Sequence, residues 1–121
     1  MGPSRCNLKL VTDFVLKRWQ LEPYPGDQAP PHVHDASDEA FCVLAGTLEV
    51  LVGDERRHLH QGEFVEIPAG TVHTFATVGS EPVTMIAVMT VEIDELVTAL
   101  HAAESEQERS SAWGTFRSRL A

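Results

Sequence analysis

His32 and His34 stand two apart in His32-Val33-His34, so on an extended chain both imidazoles leave the same face. Glu39 follows five residues later, across a turn expected at Asp35-Ala36-Ser37, and can return its carboxylate to that side. His73 enters from a separate strand. Three imidazoles and one carboxylate suit one divalent transition ion (Fe, Mn, Ni, Co or Zn) far better than Ca or Mg. Four protein ligands leave positions open on a five- or six-coordinate ion. Substrate oxygens, or substrate and O₂ side by side, would enter there, with the ion as Lewis acid or redox centre. The competing reading is a metal-free barrel whose histidines hydrogen-bond in a polar pocket, a costly cluster to bury.

The other histidines carry less chemistry. His58 and His60 repeat the two-residue spacing, but Arg56, Arg57 and Gln61 flank them and no glutamate follows at a useful distance. That is the pattern of a solvated strand face. His101 falls at the boundary of an apolar helical stripe.

Short strands are expected over 11–21, 39–45, 47–52, 55–60, 63–67, 71–78 and 82–91. Tyr24-Pro25-Gly26-Asp27, Ala45-Gly46, Gly53-Asp54, Gln61-Gly62, Pro68-Ala69-Gly70 and Gly79-Ser80 punctuate them, and Pro30-Pro31 holds the chain extended into His32. Many short strands joined by Gly-rich turns imply an all-β sandwich or barrel. Near Glu92 the period changes, and Ile93, Leu96, Val97, Leu100 and His101 predict a helix with acidic residues in its first turn. Beyond the polar stretch 104–111, Trp113, Phe116, Arg117 and Leu120 suggest a second short helix. Such helices would cover an apolar outer face of the barrel, or one would close the pocket mouth or join a dimer.

Strand alternation turns Phe41 and Val43 inward with Glu39, and Phe75 and Thr77 inward with His73, leaving Cys42 on the opposite face. On the last long strand either Met85, Ala87 and Met89 or Ile86 and Val88 face in, and periodicity leaves both open. The candidate substrate pocket is therefore Phe41, Val43, Phe75 and Thr77 with, on the first alternative, Met85 and Ala87.

The glycines and prolines around the histidines add specificity. Gly26, five residues, His32-Val33-His34, four residues, Glu39, six residues and Gly46 resemble the first motif of the cupin superfamily. Gly62, five residues, Pro68-Ala69-Gly70, two residues and His73 resemble the second, and fifteen residues separate the two motifs. The resemblance spans roughly residues 19–90 and departs at Thr77, where the second motif usually closes with Asn. It implies a cupin jelly-roll β-barrel (a double-stranded β-helix) with one or two short C-terminal helices, the metal held inside by His32, His34, Glu39 and His73. The division expected is an N-terminal arm over 1–10, the barrel over 11–91 and a helical segment over 92–121.

What similar small cupins do implies a metal-dependent enzyme on a small, aromatic or mostly apolar molecule. Dioxygenase-like chemistry comes first, then isomerisation or epimerisation, then polyketide cyclisation. Glu39 would stay a ligand or swing away as general base, as in the quercetinase-type dioxygenases it resembles. The alternative is a non-catalytic cupin that binds or senses a small ligand.

Composition narrows the partners. The chain has 121 residues with 18 acidic against 9 basic side chains, a net charge of −9 that repels nucleic acid. No stretch has transmembrane length, and Met1-Gly2-Pro3-Ser4-Arg5 lacks the apolar run of a signal peptide. Two cysteines, Cys6 and Cys42, indicate no disulfide framework, so a cytoplasmic location is expected. A chain this short has a large surface for its volume, which favours a homodimer, partly sealed by the strand around Val11–Leu21.

Overall fold

The computed structural model describes residues 14–121, so the arm at 1–10 and the start of the first strand lie outside the described residues. Nine strands and two helices follow in the order β1 (Phe14–Leu21), β2 (His32–His34), β3 (Glu39–Ala45), β4 (Leu48–Val52), β5 (Glu55–Leu59), β6 (Phe64–Ile67), β7 (His73–Thr77), β8 (Val83–Thr90), α1 (Val91–Ala102), α2 (Glu106–Thr115) and β9 (Ser118–Leu120). They form two antiparallel sheets, one ordered β1-β8-β3-β6 and the other β5-β4-β7-β2-β9. This is the expected jelly roll. Except for the β4–β5 hairpin, consecutive strands from β1 to β8 cross between sheets, so residues distant in sequence meet at the barrel centre, as His32 does with its cross-strand partner His73.

Alternation decides what fills the barrel. In β3, Glu39, Phe41 and Val43 are buried while Ala40 and Cys42 are half-buried on the other face. In β8 the inward set is Val83, Met85, Ala87 and Met89, which resolves the alternative that periodicity left open. These residues pack with Leu48, Val50, Leu59, Val65 and Ile67 into one core cluster, closed from the helical side by Ile93. Burying each of the larger side chains contributes on the order of 1.5–3 kcal/mol. The core is thus apolar and continuous without help from the histidines.

The C-terminal segment differs from the helical reading. The Thr90 hydroxyl accepts a hydrogen bond from the Ile93 amide at 3.2 Å and starts α1 directly after β8. Ser105 likewise caps α2, accepting from the Glu108 amide at 3.1 Å, so the polar stretch expected to precede the second helix is its first half. That helix stops at Thr115, Arg117 takes a φ of 51°, and Ser118–Leu120 run as a strand against β2. The spacing of Trp113, Phe116 and Leu120 suits a helix. Strand β2, however, would otherwise leave one edge of a buried backbone unpaired, and β9 supplies its partners.

Among the described residues no helix is long and apolar enough to cross a membrane. The outer face of the first sheet carries Phe14, Leu16, Leu44 and Phe64 in exposed positions.

Gly46 joins β3 to β4 with a φ of 84°, and a Cβ there would lie 2.3 Å from the Pro82 carbonyl oxygen. Gly53, with a φ of 68°, has nothing within 4 Å. Gly53→Ala should therefore cost only the left-handed penalty of about 1–2 kcal/mol. Gly46→Ala should cost clearly more, because backbone must also move. Urea unfolding of both variants checks this, and equal losses would contradict the packing around Gly46.

Candidate metal centre

β2 is three residues long and wholly buried, held on one edge by β7 and on the other by β9. Its pleat sends His32 and His34 to one side, and His73 begins β7 beside them. Ring centroids lie 4.3 Å apart for His32 and His73, 4.9 Å for His32 and His34, and 5.0 Å for His34 and His73. One ring nitrogen from each histidine falls within 4.8 Å of the others. Glu39, the first residue of β3, is also buried and brings Oε1 to 3.1 Å from His73 Nε2 and 3.6 Å from His34 Nε2. The set that converges most tightly is the three histidines, with the carboxylate against two of them.

The hydrogen bonds fix which nitrogen faces the centre. His32 Nδ1–H donates to the Pro30 carbonyl at 2.8 Å, and His73 Nδ1–H to the Thr71 carbonyl at 3.0 Å. A carbonyl can only accept, so both rings carry a proton at Nδ1 and turn Nε2 toward the cluster. His34 Nδ1 meets Ser118 Oγ at 2.7 Å, and the Ser118 hydroxyl proton goes to the Phe116 carbonyl at 3.2 Å. Ser118 Oγ therefore accepts from His34 Nδ1–H, and the third ring is set the same way.

Burial, and then the neighbouring His73, lowers the His32 pKa to about 4, the Pro30 carbonyl opposing the shift. Burial followed by His32 and His73 lowers His34 to about 3. Both rings are neutral at pH 7, so the approach of His34 to Glu39 is not an ion pair. With the Nδ1 protons committed outward, the Nε2 atoms of His73 and His34 face a carboxylate oxygen at close range. That arrangement calls for a cation between them, and its N and O donors fit a first-row transition ion. His32, His34 and His73 can hold a metal, and donor chemistry alone does not choose which.

A cavity of about 410 Å³ opens from these residues. His32, His34 and Glu39 form its polar end; Trp19, Leu21 and Phe75 line it from the barrel, and Ile93, Leu96, Val97, Leu100 and His101 from α1. Trp113 of α2 completes the wall, its ring 5.3 Å from that of His32. Trp19 and Phe75 stack at 6.1 Å with 18° between their planes. The first helix thus lines one side of the pocket.

Of the six lining residues expected from alternation, Phe75 borders this cavity. Phe41, Val43, Met85 and Ala87 do point inward, but they fill the packed core. Phe41 stands just behind the wall, 5.1 Å from Phe75 and 6.5 Å from Trp19. The Thr77 hydroxyl is taken by Tyr24, accepting from its amide at 3.0 Å and donating to its carbonyl at 3.3 Å. Alternation reports the face of a strand and not the depth along the barrel, and only the metal end is hollow. His58 and His60 lie on the exposed surface, beside Glu49 and Thr47.

Trp19, Trp113 and Ser118, together with Gln28, which also lines the cavity, were not anticipated at the site. A tryptophan on an alternating strand was a usable signal for the first; Ser118 has none in its local sequence.

The family description "Cupin domain" matches residues 19–89, more than half of the chain. The chain belongs to the cupin family. A 50-residue segment is 44% identical to quercetin 2,3-dioxygenase of Bacillus subtilis (strain 168), covering 41% of this chain and 15% of that enzyme. The chain therefore matches only a small part of this curated relative. Among solved structures, a cupin-2 domain containing protein from Shewanella frigidimarina is 28% identical, with a TM-score of 0.55 over 64% of this chain and 71% of that one. A sugar phosphate isomerase from a cupin superfamily of Silicibacter pomeroyi is 26% identical, with a TM-score of 0.58 over 64% and 50%. The similarity covers the barrel and supports an enzyme-like cupin without choosing a reaction.

If the three imidazoles are the ligands, His73→Ala should weaken metal binding by at least about 100-fold, beyond what loss of an outer partner costs. Far-UV circular dichroism should stay that of the barrel, because the apolar core does not include the ring. Elemental analysis after dialysis checks this, with His58→Ala as the control that should keep its metal. Loss of metal from His58→Ala and not from His73→Ala would place the centre elsewhere.

Proposed function

We propose that this cupin is a metal-dependent enzyme acting on a small, mostly apolar organic molecule, with O₂-dependent, dioxygenase-like chemistry. The observation that carries the reading is the join of two unlike surfaces. A cluster of three imidazoles and one carboxylate sits at the end of a cavity walled mainly by Trp19, Phe75, Trp113 and the apolar face of α1, with Arg18, Gln20, Gln28 and His101 as its other polar neighbours. The identity to part of quercetin 2,3-dioxygenase supports the same direction, since that name denotes oxygen chemistry on an aromatic substrate.

Bound by His32, His34 and His73, with Glu39 as fourth ligand or close neighbour, the metal would supply Lewis-acid and redox capacity. The protein supplies position and proton handling. The aromatic and aliphatic walls strip water from the apolar body of the substrate and hold its reacting oxygens toward the imidazoles. Glu39 Oε1, in reach of that end, accepts the proton of a substrate hydroxyl and can return it later. The lining has one permanent cation, Arg18, which suits an apolar substrate better than a sugar phosphate.

The test is O₂ uptake by protein loaded with Fe, Mn, Ni or Co, over a panel of flavonols and catechols with product analysis. Turnover of at least one of them is expected. Glu39→Gln should lower that turnover by about 100-fold or more while the panel still binds. Tight binding of panel members with no product from any loaded form would instead make the protein a small-ligand-binding module.

A further inference from the structure

The C-terminal segment lies outside the matched residues 19–89 yet reaches the candidate metal centre at three points. Trp113 packs its ring on His32. β9 pairs with β2 along its whole length, His32 with Leu120, Val33 with Arg119 and His34 with Ser118. The Ser118 hydroxyl takes the Nδ1 proton of His34. Bonds on either side hold this register, from the Asp35 amide to the Arg117 carbonyl at 2.8 Å and from the Ala121 amide to the Pro31 carbonyl at 2.9 Å.

The three imidazoles are not held alike. His32 and His73 each find a carbonyl two residues upstream, so their orientation comes with their own strand. His34 has no such local partner; its Nδ1 is bound by a residue 84 positions away. Without β9, nothing on β2 would choose between its tautomers or stop the ring from turning Nε2 away from the cluster. A slip of one residue would put Arg119 opposite His34 and send Ser118 to the other face.

We infer that the segment from α2 through β9 is a clasp on the metal centre, with Ser118 as the positioning residue for His34, so that metal binding and β9 docking are coupled. This rests on the metal reading of the three histidines. Coupling of this kind is reciprocal: whatever the docked clasp adds to metal affinity, bound metal adds to the docking of the clasp. The same segment carries Trp113 in the cavity wall, so a metal-free chain would also hold its pocket less firmly closed.

Co(II) is the probe, read by calorimetry and by its visible absorption, with amide exchange of Ser118–Leu120 followed with and without the ion. The unmodified chain should bind Co(II), and binding should slow exchange across β9. Ser118→Ala should bind about 10–100-fold more weakly with an altered spectrum, and Ser118→Thr, which keeps the hydroxyl, should recover much of both. A purely structural role would lower the unfolding midpoint of the metal-free variant and leave affinity and spectrum alone. Wild-type affinity and spectrum in Ser118→Ala, or β9 exchange indifferent to Co(II), would overturn the coupling while leaving the metal centre intact. An unmodified chain that bound neither Co(II) nor Fe, Mn, Ni or Zn would overturn both.

Discussion

Three buried imidazoles with ring centroids within 5.0 Å of one another, Nε2 inward and a carboxylate beside them, are the constraint around which this end of the barrel is arranged. Such a cluster opposes burial unless each Nδ1 proton has an acceptor and the inward faces share a cation. The first condition is met by two backbone carbonyls and one serine hydroxyl. It explains why a strand of only three residues is sealed on both edges. β7 delivers His73 directly opposite His32, and β9 delivers the hydroxyl that His34 lacks locally.

The rest of the barrel makes that cost affordable. Phe41, Val43, Leu48, Val50, Ile67, Met85 and Met89 form an apolar plug that is complete without the histidines. Stability is concentrated in one half, and the other half is left hollow and polar at its end. Phe41 marks the boundary: its ring touches the aromatic wall of the cavity on one side and the aliphatic core on the other. A pocket set against such a plug does not collapse when empty, which is the preorganisation that a binding or catalytic site needs.

How much of this was legible in the chain follows from the range over which each signal acts. Turn glycines, alternation and the two motifs are local, and they placed the strands, the jelly roll and the residues that gather at the centre. Inward and outward faces were equally readable for Glu39, Phe41 and Val43. Depth along the barrel was not, because it depends on which strands a residue meets after folding; four inward residues therefore proved to be core and not cavity wall. Ser118 and Trp113 were beyond reach for the same reason. The spacing of Trp113 with Phe116 and Leu120 is that of a helix, and the demand that made Ser118–Leu120 a strand is the open edge of β2, which is more than 80 residues away in sequence.

The position of the helices bears on chemistry as well as on shape. α1 follows β8 without a linker, its start fixed by the Thr90 cap, so Ile93 and Leu96 are carried over the open end of the barrel by the strand itself. Arg117 then ties back to Glu92 at the base of α1 through a bond of 2.9 Å, and β9 begins at the next residue. The helical wall of the cavity and the strand that meets His34 therefore belong to one continuous stretch of chain. In a solvated pocket a carboxylate and three imidazoles would spend their lone pairs on water. Beside the apolar side chains of α1 they have fewer waters to bond, and a charge placed among them is felt more strongly than it would be in bulk water.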